Sequence, residues 1–543
     1  MKRFKLFLAM AALACAIGLT VKYGSTYRPV VEPVREIEEI WALEDAREES
    51  GEPLVTRLFC NGVPMAYDAE NNVFYGSLGL ENGAQWPEIK LTASEEAAKG
   101  LSLCFADDYG FDDCDAAIRE GYSYQIFAYT DTAYSYAEVV FTGLPLVNVT
   151  AEQTIEREDV PAQIEIALAA EGLQTNGRIH KRGGASILND KVGYKLEFTR
   201  TTDGKKKIYR EIPGMGTDSQ VILLPMNALD TTMMRDRLSW ALYARLTRRD
   251  EPFSARKTQY CELFLNGEYR GVYLMLEPFS VRQEVAKAGE ERLTTDSVYR
   301  TAVISLSHGR PCMEDPYSAA TGFELYYPMD GEPDFSPLAD YFALLGETDD
   351  AAFMRRAAQI IDLDSALRYD VVLQLFGLTD NVINNMYTWA QNSRGHTRYR
   401  FDFWDLDVSW GLKRDEIGEM HENWVFFPLV DRLLRADEEG GVRQRYGEIY
   451  REVREKAFDT ETVEALVGQY AHELNDSGAM ARNADRWETE NYAADGYELV
   501  AFAAERIALL DEPVRAMSAG EEIDLRFLEK TNYDDKGTPL TEE

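Results

Sequence analysis

The segment from Ser365 to Gly411 constrains this chain more than any other, because it joins an apolar helical run to two short β-type runs across a tight turn and leaves chemically active residues at the outer ends. SALRYDVVLQLFG places apolar side chains three and four residues apart and predicts a helix. Asp380 and Asn385 follow, then the run MYTWA, the turn Asn392-Ser393-Arg394-Gly395 and the run RYRFDFW, which ends at Asp405. If the two runs pair antiparallel about Gly395, residues whose numbers sum to about 790 lie opposite each other, so Asn385 faces Asp405 at roughly 5 Å. Asp380, just ahead of the first strand, reaches the same space.

A carboxylate base beside an Asn and an Asp that can hold hard cations is the set that Mg-dependent phosphoryl transfer needs. The Asp380 to Asn385 interval reproduces the D-x-x-x-x-N of protein kinase catalytic loops, and Asp405 ends a following strand as the kinase metal Asp does. Leu378-Thr379 stands where kinases carry His-Arg. Asp407 reads either as a second metal ligand or as a cap on the following turn. An EF-hand reading of Asp405-Leu406-Asp407 fails because Trp410 occupies the position that requires Gly. A carboxylate-pair glycosidase using two of Asp380, Asp405 and Asp407 is a rival chemistry, but it leaves Asn385 and Lys191 without a role. No GxxxxGK[ST], HExxH or GxSxG occurs.

Upstream, Arg182-Gly183-Gly184-Ala185-Ser186 precedes Lys191 and the alternating run GYKLEFTR, which reads as a glycine turn feeding a strand. A Lys at that place either holds nucleotide phosphates or faces solvent. YCELFLNGEYRGVYLMLE reads as a hairpin turning at Asn266-Gly267, the strongest short turn signal. It ends at Glu277, which either orients Lys191 or pairs on the surface with Arg256, the residue this turn places opposite it.

Taken in order, these motifs resemble the spore coat protein H (CotH) family of atypical protein kinases. RGGAS with its following Lys191 and YKLEF looks like the family's RGxSS-type segment, and VILLPMNALDTTMMRDRL is similar to its strand, Asp and Arg block. CELFLNGEYRGVYLMLE resembles its NGEYxGxY hairpin, and Asp380, Asn385 and Trp404-Asp405-Leu406-Asp407 complete the order. The resemblance covers about Leu144 to Leu412, with the C-terminal helices similar in pattern. It implies an α+β, atypical protein-kinase-like domain that uses ATP and Mg²⁺ or Mn²⁺ to phosphorylate Ser or Thr of exported proteins. Asp380 would be the catalytic Asp and Asn385 and Asp405 metal ligands, with Asp407 beside them. Arg182 and Lys191 would contact phosphates, with Ser186 and Glu277 completing the nucleotide side. Ala185 replaces a small polar residue of the family pattern, and Asp190 replaces its Pro.

The rest of the chain sets the frame. The 94 acidic and 57 basic residues give a formal charge of -37, which disfavours nucleic acid as a partner because phosphate neutralisation needs clustered Lys and Arg. Such acidity serves solubility or steers a basic protein substrate. Lys2, Arg3 and Lys5 ahead of the apolar stretch Leu6 to Val21 form an export signal, cleaved or kept as an anchor, which places the protein outside the cell or on its surface. Cys15 only loosely fits a lipoprotein box. Cys60, Cys104, Cys114, Cys261 and Cys312 form no CxxC pair, so no zinc-finger site is expected, and a Cys104 to Cys114 disulfide is left open. The expected layout is a signal or anchor at 1–25, a Pro- and Glu-rich linker at 26–52 and a small β-sandwich at 53–143. A kinase-like domain follows at 144–517, helical from about Pro428, and a polar tail at 518–543. The substrate is expected to be an exported or cell-surface protein, basic or Ser-rich, with membrane contact only through the N-terminus. The competing function is a catalytically idle surface adhesion or coat scaffold on the same fold.

Overall fold

A computed structural model describes residues 29–80, 89–94, 99–106, 114–183, 185–226, 229–246, 255–280, 285, 295–302, 323–328, 334–393, 395–412, 424–425, 427–488, 495–521, 532–533 and 539–540. The export segment, Cys15, Cys312 and most of the tail lie outside these residues. No helix among the described residues is long and apolar enough to cross a membrane.

The N-terminal region has a mixed sheet built on Ser102–Phe105, Ser123–Tyr129, Ala133–Thr142, Val73–Ser77 and Ala66–Asp68, and a three-stranded sheet of Leu58–Cys60, Val63–Pro64 and Leu91–Ala93. Both sheets feed one core containing Leu58, Leu91, Phe74, Ile126 and Val139. The segment expected to be a linker is corrected: Val31–Glu32 pairs with Leu103 and Cys104, Glu48–Glu49 pairs with Ala133 and Tyr134, and the helix Ile37–Asp45 buries Ile40 against Cys104 and Phe127. Val31–Glu32 adds an edge strand, Glu48–Glu49 lies along the start of Ala133–Thr142, and the helix covers the face that the main core leaves open.

The disulfide left open at Cys104 and Cys114 is not formed; Cys60, Cys104, Cys114 and Cys261 are buried thiols. Cys104 faces the Ile40 side of the sheet, whereas Cys114 lies in the inter-sheet core, so the sheet stands between them. Burial pushes the Cys60 thiol up to about 12 and the Cys104 thiol up to about 11. Because the thiolate is the nucleophile, all four are expected to resist alkylation at pH 8 until the chain is denatured. Peptide mapping after a short iodoacetamide pulse checks this, and fast native labelling of any of the four would contradict it.

The next layer is a closed seven-stranded barrel. Its strands are β1 (Leu146–Thr150), β2 (Val160–Leu168), β3 (Glu171–Arg182), β4 (Gly193–Thr199), β5 (Gln220–Leu224), β6 (Thr258–Leu265) and β7 (Glu268–Leu276). They run in the order β1-β2-β3-β4-β5-β7-β6, and β1 closes onto β6 in parallel. Alternation fills the interior with Val147, Ile164, Ile179, Leu196, Phe198 and Met275 and turns the intervening residues outward. The helix α1 (Arg235–Ala244) separates β5 from β6.

A second sheet carries β8 (Ser297–Ala302), β9 (Phe323–Tyr327), β10 (Asn384–Ser393) and β11 (His396–Phe403) in the order β9-β8-β10-β11. Behind it lies the helix α2 (Leu363–Phe376), buried from Ala366 through Phe376 except at Arg368. Asp362 caps its start through the Ser365 N–H, and Gly377 ends it at φ +66°, where a Cβ would meet the Phe502 ring at 2.8 Å. Helices α3 (Pro428–Arg435), α4 (Gly441–Lys456), α5 (Thr460–Asp476), α6 (Ala479–Trp487) and α7 (Tyr497–Ser518) complete the helical part.

Because α2 is enclosed, its polar residues are paired internally. The Asp370 carboxylate accepts from Tyr446 Oη at 2.8 Å and Gln374 Nε2 at 3.2 Å, and Arg506 donates to the Gln374 carbonyl. Asp431 on α3 accepts from Trp424 Nε1 at 2.8 Å. Burial raises both carboxyl groups, Asp370 to about 7, and the Asp370 charge raises Asp431 further. The ordinary Asp value is about 3.9, so between roughly pH 4 and 7 the folded chain binds more protons than the unfolded one, and stability falls as pH rises. The melting temperature is expected to fall from pH 5 to pH 8 with a slope that Asp370→Asn reduces. An unchanged slope in that variant would contradict the assignment.

Candidate functional site

The β10 to β11 hairpin brings the sequence motifs together, with its register one residue from the expected sum. Met386 pairs with Phe403, and Ser393 with His396. The ladder ends there, and one more hydrogen bond follows, from the Trp404 N–H to the Asn385 carbonyl at 2.9 Å. Asn385 therefore lies against Trp404, and Asp405 is the next residue. Both leave extended geometry: φ is +57° at Asn385 and +56° at Asp405. Asn and Asp tolerate this left-handed region better than other side-chain-bearing residues, which suits them to these two turns.

Asp380 opens the one-turn helix Asp380–Ile383 just after α2. Asn384 Nδ2 donates to its Oδ1 at 3.0 Å, and Asn385 Nδ2 donates to its Oδ2 at 2.8 Å. The carboxylate is thus held at both oxygens while remaining half-buried. Asn381 ties the two loops, its Nδ2 donating to the Trp404 carbonyl at 2.7 Å. Tyr369 Oη donates to the Asn381 carbonyl at 2.6 Å, and its ring stacks on Phe403 at 4.1 Å. The roles of Asn381 and Asn384 were not read from the sequence; the run Asn381-Val-Ile-Asn384-Asn385 was the available signal.

The loop after β11 alternates. Trp404, Leu406 and Val408 are buried, while Asp405 and Asp407 are half-exposed and stand on the open side. Asp236, near the start of α1, reaches under this loop, and its Oδ1 accepts the Leu406 N–H at 3.2 Å. It is buried, and burial, followed by the charges of Asp407, Asp405 and Asp230, raises its carboxyl well above the usual range. Arg235 fastens the same loop: Nε donates to the Ser409 carbonyl at 3.2 Å, Nη1 pairs with Asp230 and Nη2 donates to Glu498 at 2.8 Å. Trp410 then turns back at φ +53°, its indole donating to Ser239 Oγ at 2.9 Å.

A family model described as CotH kinase protein matches residues 179–510, well over half of the chain. The chain belongs to the CotH kinase family. No curated protein matches it. The family span takes in Arg182, Ser186, Lys191, Glu277, Asp380, Asn385, Asp405 and Asp407 and leaves the N-terminal sheets outside.

Within this CotH chain, Arg182 at the end of β3 reaches the loop after β11, its guanidinium 5.6 Å from the Trp404 ring centre. The next residue, Gly183, has φ +128°, and a Cβ there would lie 2.4 Å from Ser186 Oγ, so the tight turn requires glycine. Ser186 lies exposed in the 3-10 turn Ala185–Leu188. Lys191 and Glu277 are not brought together. Lys191 Nζ donates to the Val272 carbonyl at 2.6 Å and to Asn483 Oδ1 at 3.1 Å, above the Tyr273 ring. Burial pulls its amine down to about 7. Glu277 instead accepts the Lys257 N–H at 3.2 Å. The expected Arg256 to Glu277 pairing also shifts by one residue, because a bulge between Glu262 and Phe264 advances β6 against β7 and sets Lys257 opposite Glu277. Arg256 is buried on the Phe279 ring at 4.4 Å.

Proposed function

We propose that this CotH family member transfers the γ-phosphate of ATP to Ser or Thr hydroxyls of exported or cell-surface proteins, in the presence of Mg²⁺ or Mn²⁺. The observation that carries this reading is the clamping of the Asp380 carboxylate by the Asn384 and Asn385 amides, with the Asn385 carbonyl bonded to the N–H of Trp404, the residue before Asp405.

The donor set fits hard cations. Asn385 spends its Nδ2 on Asp380, which leaves its Oδ1 as an oxygen ligand beside the carboxylates of Asp405 and Asp407. Two carboxylates and an amide are the kind of partial set that Mg²⁺ takes when phosphates and waters complete its shell. When bound, ATP and its cations supply the transferable phosphoryl group and neutralise its developing charge. Asn385, Asp405 and Asp407 would hold the cations, and Arg182, beside the Gly183 turn and Ser186, would face the phosphates. Asp380 would align the acceptor hydroxyl and take its proton as the new O–P bond forms, with ADP as the leaving group. The amides of Asn384 and Asn385 keep that carboxylate from turning away. The acidic surface suits basic acceptors, and the apolar Leu6 to Val21 stretch supports a location outside the cell or on its surface.

The test is transfer from labelled ATP, with Mg²⁺ or Mn²⁺, to a mixture of basic and Ser-rich proteins, comparing the full chain with Asp380→Ala and Asp405→Ala. Transfer lost in both folded variants is the expected result. Turnover retained in either would remove that residue from the chemistry.

A further inference from the structure

Arg182 needs a cationic partner if a polyphosphate is to lie beside it, and Lys191, the residue expected from sequence, has its amine committed to Val272 and Asn483. The barrel face that carries Arg182 offers another. In the β3 to β4 ladder His180 stands opposite Lys195 and Arg182 opposite Gly193. Arg178, His180, Arg182, Lys195 and Glu197 therefore point to the same outward face, while Ile179, Tyr194, Leu196 and Phe198 fill the barrel. Lys195 is diagonal to Arg182, a spacing of about 7–8 Å or less that long side chains bridge. Gly193 places no side chain in front of Arg182.

This face turns toward the catalytic hairpin. Ile222, opposite Lys195 on β5, belongs to the same core as Trp404, Tyr387 and Leu406. The other cations of the face are neutralised: Arg178 is paired with Glu197 and Asp159, and Lys207 with Glu197 at 3.3 Å. His180 contacts Asp159 at 2.6 Å. Among the described residues neither Arg182 nor Lys195 makes an ion pair with a carboxylate, although the chain carries 94 acidic residues. Lys195 is also half-buried; burial first and then Lys207 lower its amine, Glu197 and Asp159 pull it back up in part, and Arg182 adds a smaller lowering. Two neighbouring cations without a direct ion pair among the described residues of so acidic a protein, one of them beside the Trp404 ring, make a place for a multiply charged anion.

We propose that Lys195 and Arg182 together bind the terminal phosphates of a nucleoside triphosphate, and that Lys191 is a structural pin between the barrel and α6. The proposal rests on the kinase reading for the identity of the ligand, while the anion site itself stands on the barrel face. Lys195 is a binding residue of this site rather than one that moves a proton.

The test is calorimetric titration of the full chain with Mg-ATP, with AMP and with inorganic tripolyphosphate. Lys195→Met and Arg182→Met are each expected to weaken ATP and tripolyphosphate by about tenfold or more, the loss of a charge-assisted contact, with AMP affinity changed far less. Lys207→Met, on a neighbouring salt-bridged position, is expected to leave ATP affinity near the parent value. Unchanged ATP affinity in Lys195→Met, or loss in Lys191→Met alone with its fold intact by circular dichroism, would overturn the proposal and leave the kinase reading standing. Tripolyphosphate binding that depends on Lys195 without any ATP binding would uphold the anion site and remove the kinase reading. Binding of neither by the parent chain would overturn both.

Discussion

Asp405→Asn is expected to lower phosphate transfer by about three orders of magnitude or more, the scale seen when a group that stabilises a transferring phosphoryl is removed, while the melting temperature stays within a few degrees of the parent. The fold should survive because Asp405 is half-exposed and sits at φ +56°, a conformation that Asn adopts as readily as Asp. What the substitution removes is the negative charge that the proposed cation site needs. Turnover within a few-fold of the parent would show that Asp405 holds no essential ion. A collapse of the melting temperature would instead make it a structural residue.

The second large effect falls on stability. Arg235→Ala is expected to destabilise the protein by about 3–5 kcal/mol, the usual cost of leaving one partner of a buried ion pair uncompensated. Asp230, also buried, would then keep a charge whose remaining contacts are neutral donors: the backbone N–H of Thr232, the Thr232 hydroxyl and the backbone N–H of residue 235. Arg235→Lys should recover little, because the guanidinium makes contacts in three directions, to Ser409, Asp230 and Glu498, which one ammonium cannot reproduce. Urea unfolding measures this directly. A loss under 1 kcal/mol, or full rescue by Lys, would contradict the account of Arg235 as the fastener of the loop beyond Asp407.

The hairpin that carries the site was legible because its signals are local. The helical period of α2, the turn at Gly395 and the β-branched and aromatic runs on either side are all written within fifty residues, and the observed pairing of Met386 with Phe403 lies one residue from the expected register. What alternation could not express is where the ladder stops. Asn385 and Asp405 were read as facing strand residues, but each takes a left-handed turn at the ladder's end. The Lys257 to Glu277 register was missed for a similar reason, since a β-bulge leaves no mark in an alternating pattern.

Other features depend on contacts far apart in the chain. Asp236 reads as an ordinary acidic residue at a helix start, and its hydrogen bond to Leu406 lies 170 positions away. Lys191 reads as a strand-leading lysine, yet its amine is occupied by Asn483, 292 positions away. The two-residue strands at Val31–Glu32 and Glu48–Glu49 are too short to show a period, so a segment rich in Pro and Glu passed for a linker. In each case the local pattern was sound and the tertiary partner decided the outcome.

The measurement that bears most directly on the central claim is the mass of an acceptor protein after incubation with the full chain, ATP and Mg²⁺ or Mn²⁺. The account predicts a phosphate adduct on Ser or Thr that appears with the parent chain and is absent with Asp380→Ala, both proteins being folded by circular dichroism. No adduct on any basic or Ser-rich acceptor or on the chain itself, with a parent chain that also fails to bind ATP, would contradict it.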